Sequence, residues 1–136
     1  MFFYFLGDIP YKDIGCYADK AGSIRPLPEM LFSDEAKRKS DSWEEFLPDL
    51  ICSCAKAAKE KTYSYFGIQN LAECWSGPNS QDTYAMDGAS NQCQSTVPLV
   101  PANSSKAIDN FETCVGDNLM CAGRQGSNYI YGLENG

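Results

Sequence analysis

Histidine is absent from all 136 residues of this sequence. Histidine is the base of Ser-His-Asp and Cys-His catalytic sites, so both kinds of nucleophilic site are excluded. The 18 acidic residues could supply the paired carboxylates of a glycosidase, but no pocket-forming context singles out a pair. No glycine-rich phosphate loop follows a predicted strand either. We therefore predict that the protein is not an enzyme.

Basic residues are few, since 11 Lys and Arg stand against 18 Asp and Glu and give a net charge of −7. An acidic domain repels phosphate backbones and anionic lipid headgroups. We therefore expect neither nucleic acid nor a membrane surface as a partner. The simplest role of the charge is to keep a secreted protein in solution.

The apolar run at the start of the chain, MFFYFLG at residues 1–7, is too short to span a bilayer. It also lacks the basic flank and the full length of a signal peptide. It is either the remnant of a signal peptide or a segment that packs on a neighbour. We treat residues 1–10 as an N-terminal aromatic segment outside the domain, and we predict no membrane span.

Seven cysteines are spread along the chain beside turn residues, and no CxxC pair occurs. Without histidine, a zinc site would need thiolates or carboxylates alone, and the spacings match no usual zinc motif. Such a pattern is typical of a disulfide framework formed in an oxidising compartment, and the length fits one domain. The sequence therefore predicts a single secreted domain with disulfides among Cys16, Cys52, Cys54, Cys74, Cys93, Cys114 and Cys121.

The clearest secondary-structure signal is an amphipathic helix that begins near Pro48. A proline is tolerated in the first turn, and Asp49 suits the positive end of the helix dipole. A capping box, Ser42-x-x-Glu45, predicts a separate short helical turn just before it. The apolar positions of the main helix recur at three- and four-residue steps and form one stripe: Leu47, Leu50, Ile51, Cys54, Ala57 and Ala58.

Aromatic and β-branched runs predict strands at residues 9–17, 63–69, 73–75 and 128–133. Polar stretches predict loops at residues 33–42, 79–91 and 94–110. The last of these loops carries the sequon Asn103-Ser104-Ser105. A sequon indicates a surface position, so we predict Asn103 as an N-glycosylation site in a eukaryotic secretory pathway.

The order of these signals is more specific than any one of them. The chain reads GCY at residues 15–17, a helix with Cys54, YSYFGIQ at 63–69, ECWSG at 73–77, then Cys93, Cys114, CAG at 121–123 and YIY at 129–131. This run resembles a WSC domain, a cysteine-rich extracellular module. The resemblance covers residues 11–133 and leaves residues 134–136 as a tail.

The resemblance also implies a disulfide pairing. WSC domains usually carry eight cysteines, and this chain has Ala58 and Ser76 where the family often has one bonded pair. The pair Cys54–Cys74 also follows from the helix stripe, because it would join the helix to the strand behind it. The full set that the resemblance implies is Cys16–Cys93, Cys54–Cys74 and Cys114–Cys121.

The seventh cysteine, Cys52, is left over from these pairs. An odd cysteine in a secreted protein suggests an intermolecular bridge or a reduced thiol. Equally, Cys52 can be a small, half-buried apolar residue at the edge of the helix.

For the fold, we predict a small disulfide-rich α+β domain over residues 11–133. A twisted antiparallel sheet would cradle the one main helix, in the arrangement of PAN and apple domains. The first and last strands, around Cys16 and Tyr131, should lie close together.

For the function, the resemblance implies lectin-like binding of a glycan or glycoprotein, because WSC domains are regarded as carbohydrate-binding modules. Sugar rings stack on aromatic rings, and amides and carboxylates bond to their hydroxyls. Tyr84 is the aromatic residue that we expect to be most exposed, whereas Trp75, beside a disulfide, should lie in the core. The predicted ligand-binding residues are Tyr84, Tyr129, Tyr131, Asn79, Gln81, Asp82 and Asn91.

Calcium is the one cofactor for which the sequence offers candidate ligands. Asp82 and Asp87, with Ser90 and Asn91, offer clustered oxygen ligands, but their spacing matches no EF-hand loop and such residues are common in turns. The alternative function is a structural or protein-interaction subunit of an extracellular assembly, which would bind another copy of itself or a different subunit.

Overall fold

The elements of the fold lie in the residues that the computed structural model describes, which are 9–98, 111–114 and 120–134. Within these residues the chain forms eight strands and three helices. In chain order they are β1 (Tyr11–Ala18), β2 (Glu29–Ser33), α1 (Glu35–Ser40), α2 (Trp43–Glu60), β3 (Tyr65–Gln69), β4 (Glu73–Ser76), α3 (Ser80–Thr83), β5 (Cys93–Pro98), β6 (Phe111–Thr113), β7 (Ala122–Gly123) and β8 (Ser127–Leu133).

The main sheet has five antiparallel strands in the order β1-β8-β3-β4-β2. β1 and β8 pair along their whole lengths, from Tyr11 opposite Leu133 to Ala18 opposite Ser127. This confirms the prediction that the first and last strands lie together. A smaller antiparallel sheet, β6-β5-β7, adjoins the main one. Together with α2 and the disulfides, the sheets define a small disulfide-rich α+β protein, as predicted.

The core lies between the main sheet and α2. Alternate residues of a strand point to opposite faces, so Phe66 and Ile68 of β3 share one face, and Tyr129 and Tyr131 of β8 lie on the same side. The apolar stripe of α2 covers that face, with Leu47, Leu50, Ile51, Cys54 and Ala58 at most 1% exposed. Ala57, predicted in the stripe, is only half-buried at its edge, and Ala55 is fully buried instead. Hydrophobic burial between these two layers is the main force that holds the fold together.

The main helix begins earlier than predicted. α2 starts at Trp43 and continues through Pro48, so the predicted short turn and main helix are one element. Proline removes one helical hydrogen bond and crowds the preceding turn. Burial of Trp43 and Phe46, whose rings stack with centroids 6.1 Å apart, stabilises the first turn against that cost. The Ser42 side chain makes no capping hydrogen bond, so the predicted capping box is wrong.

Three predicted loops contain regular structure. Residues 33–42 include α1, where Arg38 and Glu35 form an ion pair of 2.8 Å at the favourable three-residue spacing. Residues 79–91 include α3, and the stretch 94–110 overlaps β5. β2 was not predicted because it forms by pairing with β4, a contact between distant parts of the chain that its own sequence pattern does not signal.

Three disulfides join elements that are distant in sequence or close a short loop. Cys54–Cys74 ties α2 to β4, Cys16–Cys93 ties β1 to β5, and Cys114–Cys121 joins the end of β6 to the start of β7. All three are the pairs that the sequence resemblance implied. Cys52 is half-buried and takes no part in these disulfides.

The hydroxyl of Tyr131 fixes the segment around the Cys114–Cys121 disulfide to the core. It donates a hydrogen bond to the carbonyl oxygen of Cys121 at 2.9 Å and accepts one from the amide of Cys121 at 3.0 Å. Both residues are buried, and burial raises the pKa of the Tyr131 phenol well above its usual value. One side chain therefore satisfies both backbone polar groups of the buried Cys121.

We expect Tyr131→Phe to lower the free energy of unfolding by about 2 kcal/mol, because it leaves a buried amide and carbonyl unpaired. Urea denaturation would measure the change. Tyr63→Phe is the matched control, since the Tyr63 hydroxyl donates to Glu29 at 2.7 Å from a half-buried position where water can replace it. Equal losses in the two variants would contradict the anchoring role of Tyr131.

Candidate functional site

The face of the main sheet that points away from α2 carries the candidate site. Tyr65, Gly67 and Gln69 of β3 point to this face because they alternate with the core residues. Part of the face is covered by the connection between β1 and β2. Leu27 packs so closely on Gly67 that a Cβ atom added there would lie 2.7 Å from Leu27 Cδ1. The part beside this cover is occupied by tyrosines.

Three half-buried tyrosines form a group in which Tyr84 contacts both Tyr17 and Tyr65, and we name the three the tyrosine cluster. The ring centroids of Tyr17 and Tyr84 are 5.0 Å apart with an interplanar angle of 87°. Those of Tyr65 and Tyr84 are 5.2 Å apart at 47°. Edge and tilted contacts of this kind are favourable for aromatic pairs. Each ring keeps part of its surface accessible.

Two glycines form the floor of the cluster. A Cβ atom added at Gly15 would lie 3.3 Å from Cε1 of Tyr17, and one added at Gly132 would lie 3.1 Å from Cε1 of Tyr65. Gly15 also sits at the irregularity of β1 and has a φ of +152°, a conformation that side-chain-bearing residues rarely adopt. The rings of Tyr17 and Tyr65 can therefore lie against the backbone of the sheet.

Two hydrogen bonds position Tyr84 in the cluster. The amide of Tyr65 donates to Oγ of Ser80 at 2.9 Å, which fixes α3 against β3. The amide of Tyr84 then donates to the carbonyl of Ser80 at 3.1 Å. Tyr84 follows α3 directly, so its ring lies next to Tyr65.

The chain after Tyr84 is fixed to the end of β1. Oδ2 of Asp87 accepts a hydrogen bond from the amide of Lys20 at 2.8 Å. The carbonyl of Gly88 accepts a hydrogen bond from the amide of Ala18 at 2.9 Å, and the amide of Ser90 donates one to the carbonyl of Cys16 at 3.0 Å. The segment that carries Tyr84 is thus attached to the sheet on both sides of this residue, and the rings are held in place before any ligand arrives.

The chemistry of the cluster is that of phenol side chains. Burial raises the pKa of Tyr17, and the neighbouring Tyr84 raises it further. The Tyr17 hydroxyl therefore keeps its proton throughout the physiological pH range and can both donate and accept a hydrogen bond. The cluster offers apolar ring surface bordered by hydroxyl groups.

A buried polar network lies next to the cluster on the same face of the sheet. The Asp19 side chain is fully buried and accepts hydrogen bonds from Nη2 of Arg25 at 2.9 Å and from Nε2 of Gln69 at 3.1 Å. Nε2 of Gln69 also lies 3.3 Å from Oδ1 of Asn128. Cζ of Arg25 lies 4.3 Å from the centre of the Trp75 ring, so Trp75 is half-buried under the guanidinium. The prediction that Trp75 lies in the core is therefore wrong.

Two of the predicted ligand-binding residues are unsuitable. Tyr129 and Tyr131 are 5% and 2% exposed, because they point to the face that α2 covers. Their hydroxyls bond to Asp13 and Cys121 within the protein. Neither ring can stack on a ligand, so their inclusion among the binding residues was wrong.

The other predicted residues lie on the protein surface. Tyr84 is half-buried within the cluster and is thus less exposed than predicted, while the polar residues are exposed on either side of it along the chain: Asn79, Gln81, Asp82 and Asn91. Tyr17 and Tyr65 were missed, although the alternation of tyrosine and serine at residues 63–65 indicated that one face of that strand is not in the core.

Calcium at Asp82 and Asp87 stays a prediction. Asp82 is exposed in the first turn of α3, whereas the Asp87 carboxylate is engaged by the amide of Lys20. Within residues 9–98, 111–114 and 120–134, no group of three or more acidic or cysteine side chains is arranged to hold a metal ion. The predicted glycosylation site Asn103 and the aromatic run at residues 1–7 lie outside the described residues.

No family model matches the chain, and no curated protein matches it. In the described part of the chain, none of the helices combines the length and the apolar composition needed to cross a bilayer.

Proposed function

We propose that this chain is a non-catalytic extracellular module of the WSC type that binds carbohydrate through the tyrosine cluster. The observation that carries the proposal is the cluster itself: three adjoining, partly exposed phenol rings, two of them lying over glycines. The apolar CH faces of sugar rings stack on such surfaces, while phenol hydroxyls exchange hydrogen bonds with the sugar hydroxyls. A site whose rings are already held in position loses little conformational entropy on binding.

The disulfides support the extracellular part of the proposal. Three disulfides connect strands and helix across the described chain, and such bridges persist in oxidising compartments. They are also the pairs that the WSC resemblance implied. Secretion, and glycosylation of Asn103 during it, belong to the same proposal.

A glycan-array screen of the wild-type chain and of Tyr84→Ala tests the proposal. We expect dose-dependent binding to a defined class of sugar and an affinity about tenfold weaker in the variant, equivalent to about 1.4 kcal/mol. The loss is expected because Tyr84 is the central ring of the cluster, in contact with both other rings.

Tyr63→Ala is the matched control for this screen. Tyr63 is also half-buried, but its hydroxyl bonds to Glu29 and its side chain packs against the core, so glycan binding should be unchanged. Repeating the screen with a calcium chelator tests Asp82 and Asp87 as ligands. A blank array would overturn the proposal and favour the alternative of a structural or protein-interaction subunit, which sedimentation analysis of the purified chain would then examine.

A further inference from the structure

We infer that the tyrosine cluster recognises single, uncharged glycan chains in solution and not the flat face of a crystalline polysaccharide. The inference rests on the proposed carbohydrate-binding function and specifies its ligand. It follows from the angles between the three rings and from the charge of the chain.

A crystalline polysaccharide presents a plane of stacked sugar rings. A protein site that adheres to such a plane needs several aromatic rings parallel to one another in a single plane, so that all of them touch at once. In the cluster, Tyr84 is inclined at 87° to Tyr17 and at 47° to Tyr65. When one of these ring pairs approaches a flat surface, at most one ring of the pair can lie flat against it.

A single chain in solution has no such restriction. It can turn about its glycosidic bonds so that one sugar stacks on one ring while its neighbour meets the next ring at an angle. The contacts of adjoining rings then add within one binding event, as linked contacts do when their geometry permits simultaneous engagement. Inclined rings with centroids 5.0 and 5.2 Å apart suit a short stretch of such a chain.

The cluster is also unsuited to rearrangement into a flat surface. The rings of Tyr17 and Tyr65 lie so close over Gly15 and Gly132 that a Cβ atom added at either glycine would be tightly packed against them, and the hydrogen bonds of Ser80 and Asp87 hold the segment that carries Tyr84. Turning the rings into one plane would break the edge and tilted contacts that Tyr84 makes with Tyr17 and Tyr65. The inclination is therefore a built feature of the site.

The charge of the protein restricts the ligand further. The net charge of −7 repels sulfated and uronic acid chains, and the loop at residues 79–91 contributes Asp82 and Asp87 but no lysine or arginine. An uncharged chain avoids this repulsion and still offers CH faces and hydroxyls.

Two measurements on the full chain test the inference. The first is the array of soluble neutral and anionic glycans, with Tyr17→Ala, Tyr84→Ala and the control Tyr63→Ala. The second is co-sedimentation with microcrystalline cellulose and with crystalline chitin. We expect binding to a soluble neutral glycan, about tenfold weaker in both cluster variants. The fraction pelleted with either solid should be the same for the wild type and the cluster variants.

The remaining outcomes separate the inference from the proposed function. Pelleting with a crystalline solid that the cluster variants abolish would overturn the inference and leave carbohydrate binding intact. Binding of the cluster to anionic glycans alone would also overturn the inference and leave carbohydrate binding intact. Absence of binding in both measurements, or soluble binding that Tyr17→Ala and Tyr84→Ala leave unchanged, would overturn the proposed site together with the inference.

Discussion

Replacing Arg25 by methionine should lower the free energy of unfolding by about 3 kcal/mol, because removing one partner of a buried ion pair leaves an uncompensated charge. The Asp19 side chain is completely buried, whereas that of Arg25 is 27% exposed. The Arg25 guanidinium contributes two nitrogens to this carboxylate and also covers Trp75. Urea denaturation of the variant and the wild type would measure the loss.

A second arginine provides the control. Arg38→Met breaks the ion pair with Glu35, in which both side chains are partly exposed, and pairs of that kind contribute less than about 1 kcal/mol. Adding Asp19→Asn to Arg25→Met should restore part of the stability, because the orphaned charge is then removed. Similar losses in Arg25→Met and Arg38→Met would show that the Asp19 carboxylate does not depend on Arg25.

Removal of the Cys16–Cys93 disulfide, by replacing both cysteines with alanine, should cost about 4 kcal/mol. A disulfide stabilises chiefly by restricting the unfolded chain, and the effect grows with the length of the loop that it closes. Cys16 and Cys93 are separated by 77 positions, against 7 for Cys114 and Cys121. The corresponding double-alanine variant of the shorter loop should lose only about 2 kcal/mol.

Guanidinium denaturation of both double variants would show which of them loses more stability. Cys52→Ala serves as the control, because Cys52 takes no part in the three disulfides. Should the variant that lacks Cys114–Cys121 prove the less stable of the two, loop length would not govern the contribution of these bridges, and anchoring by Tyr131 would become the better explanation.

Much of the fold could be predicted because the relevant signals are local. The apolar stripe of α2 repeats every three or four residues, and aromatic runs mark β3 and β8. The start of α2 could not be predicted, since local rules place Pro48 in a first turn while the burial of Trp43 and Phe46 extends the helix before it. Tertiary packing overrides local preference at this point.

The candidate site was only partly predictable. Alternation along a strand divides its residues between two faces, but the sequence does not say which face α2 will cover. Tyr129 and Tyr131 were therefore included beside Tyr84, and the decisive difference is their burial under the helix. The partnership of Tyr17 with Tyr84 joins positions far apart in the chain, and no local pattern signals it.

The pairing of β1 with β8 has a mechanical consequence. Tyr11, at the start of β1, lies opposite Leu133, at the end of β8, so a force applied to these two points pulls apart neighbouring strands from the same end. In this geometry the hydrogen bonds of an antiparallel ladder break one after another and offer little resistance. Peeling of β1 would stop at Cys16, where the covalent bridge to Cys93 transfers the load to the smaller sheet. The disulfide thus divides β1 into a portion that yields under tension and a portion that does not.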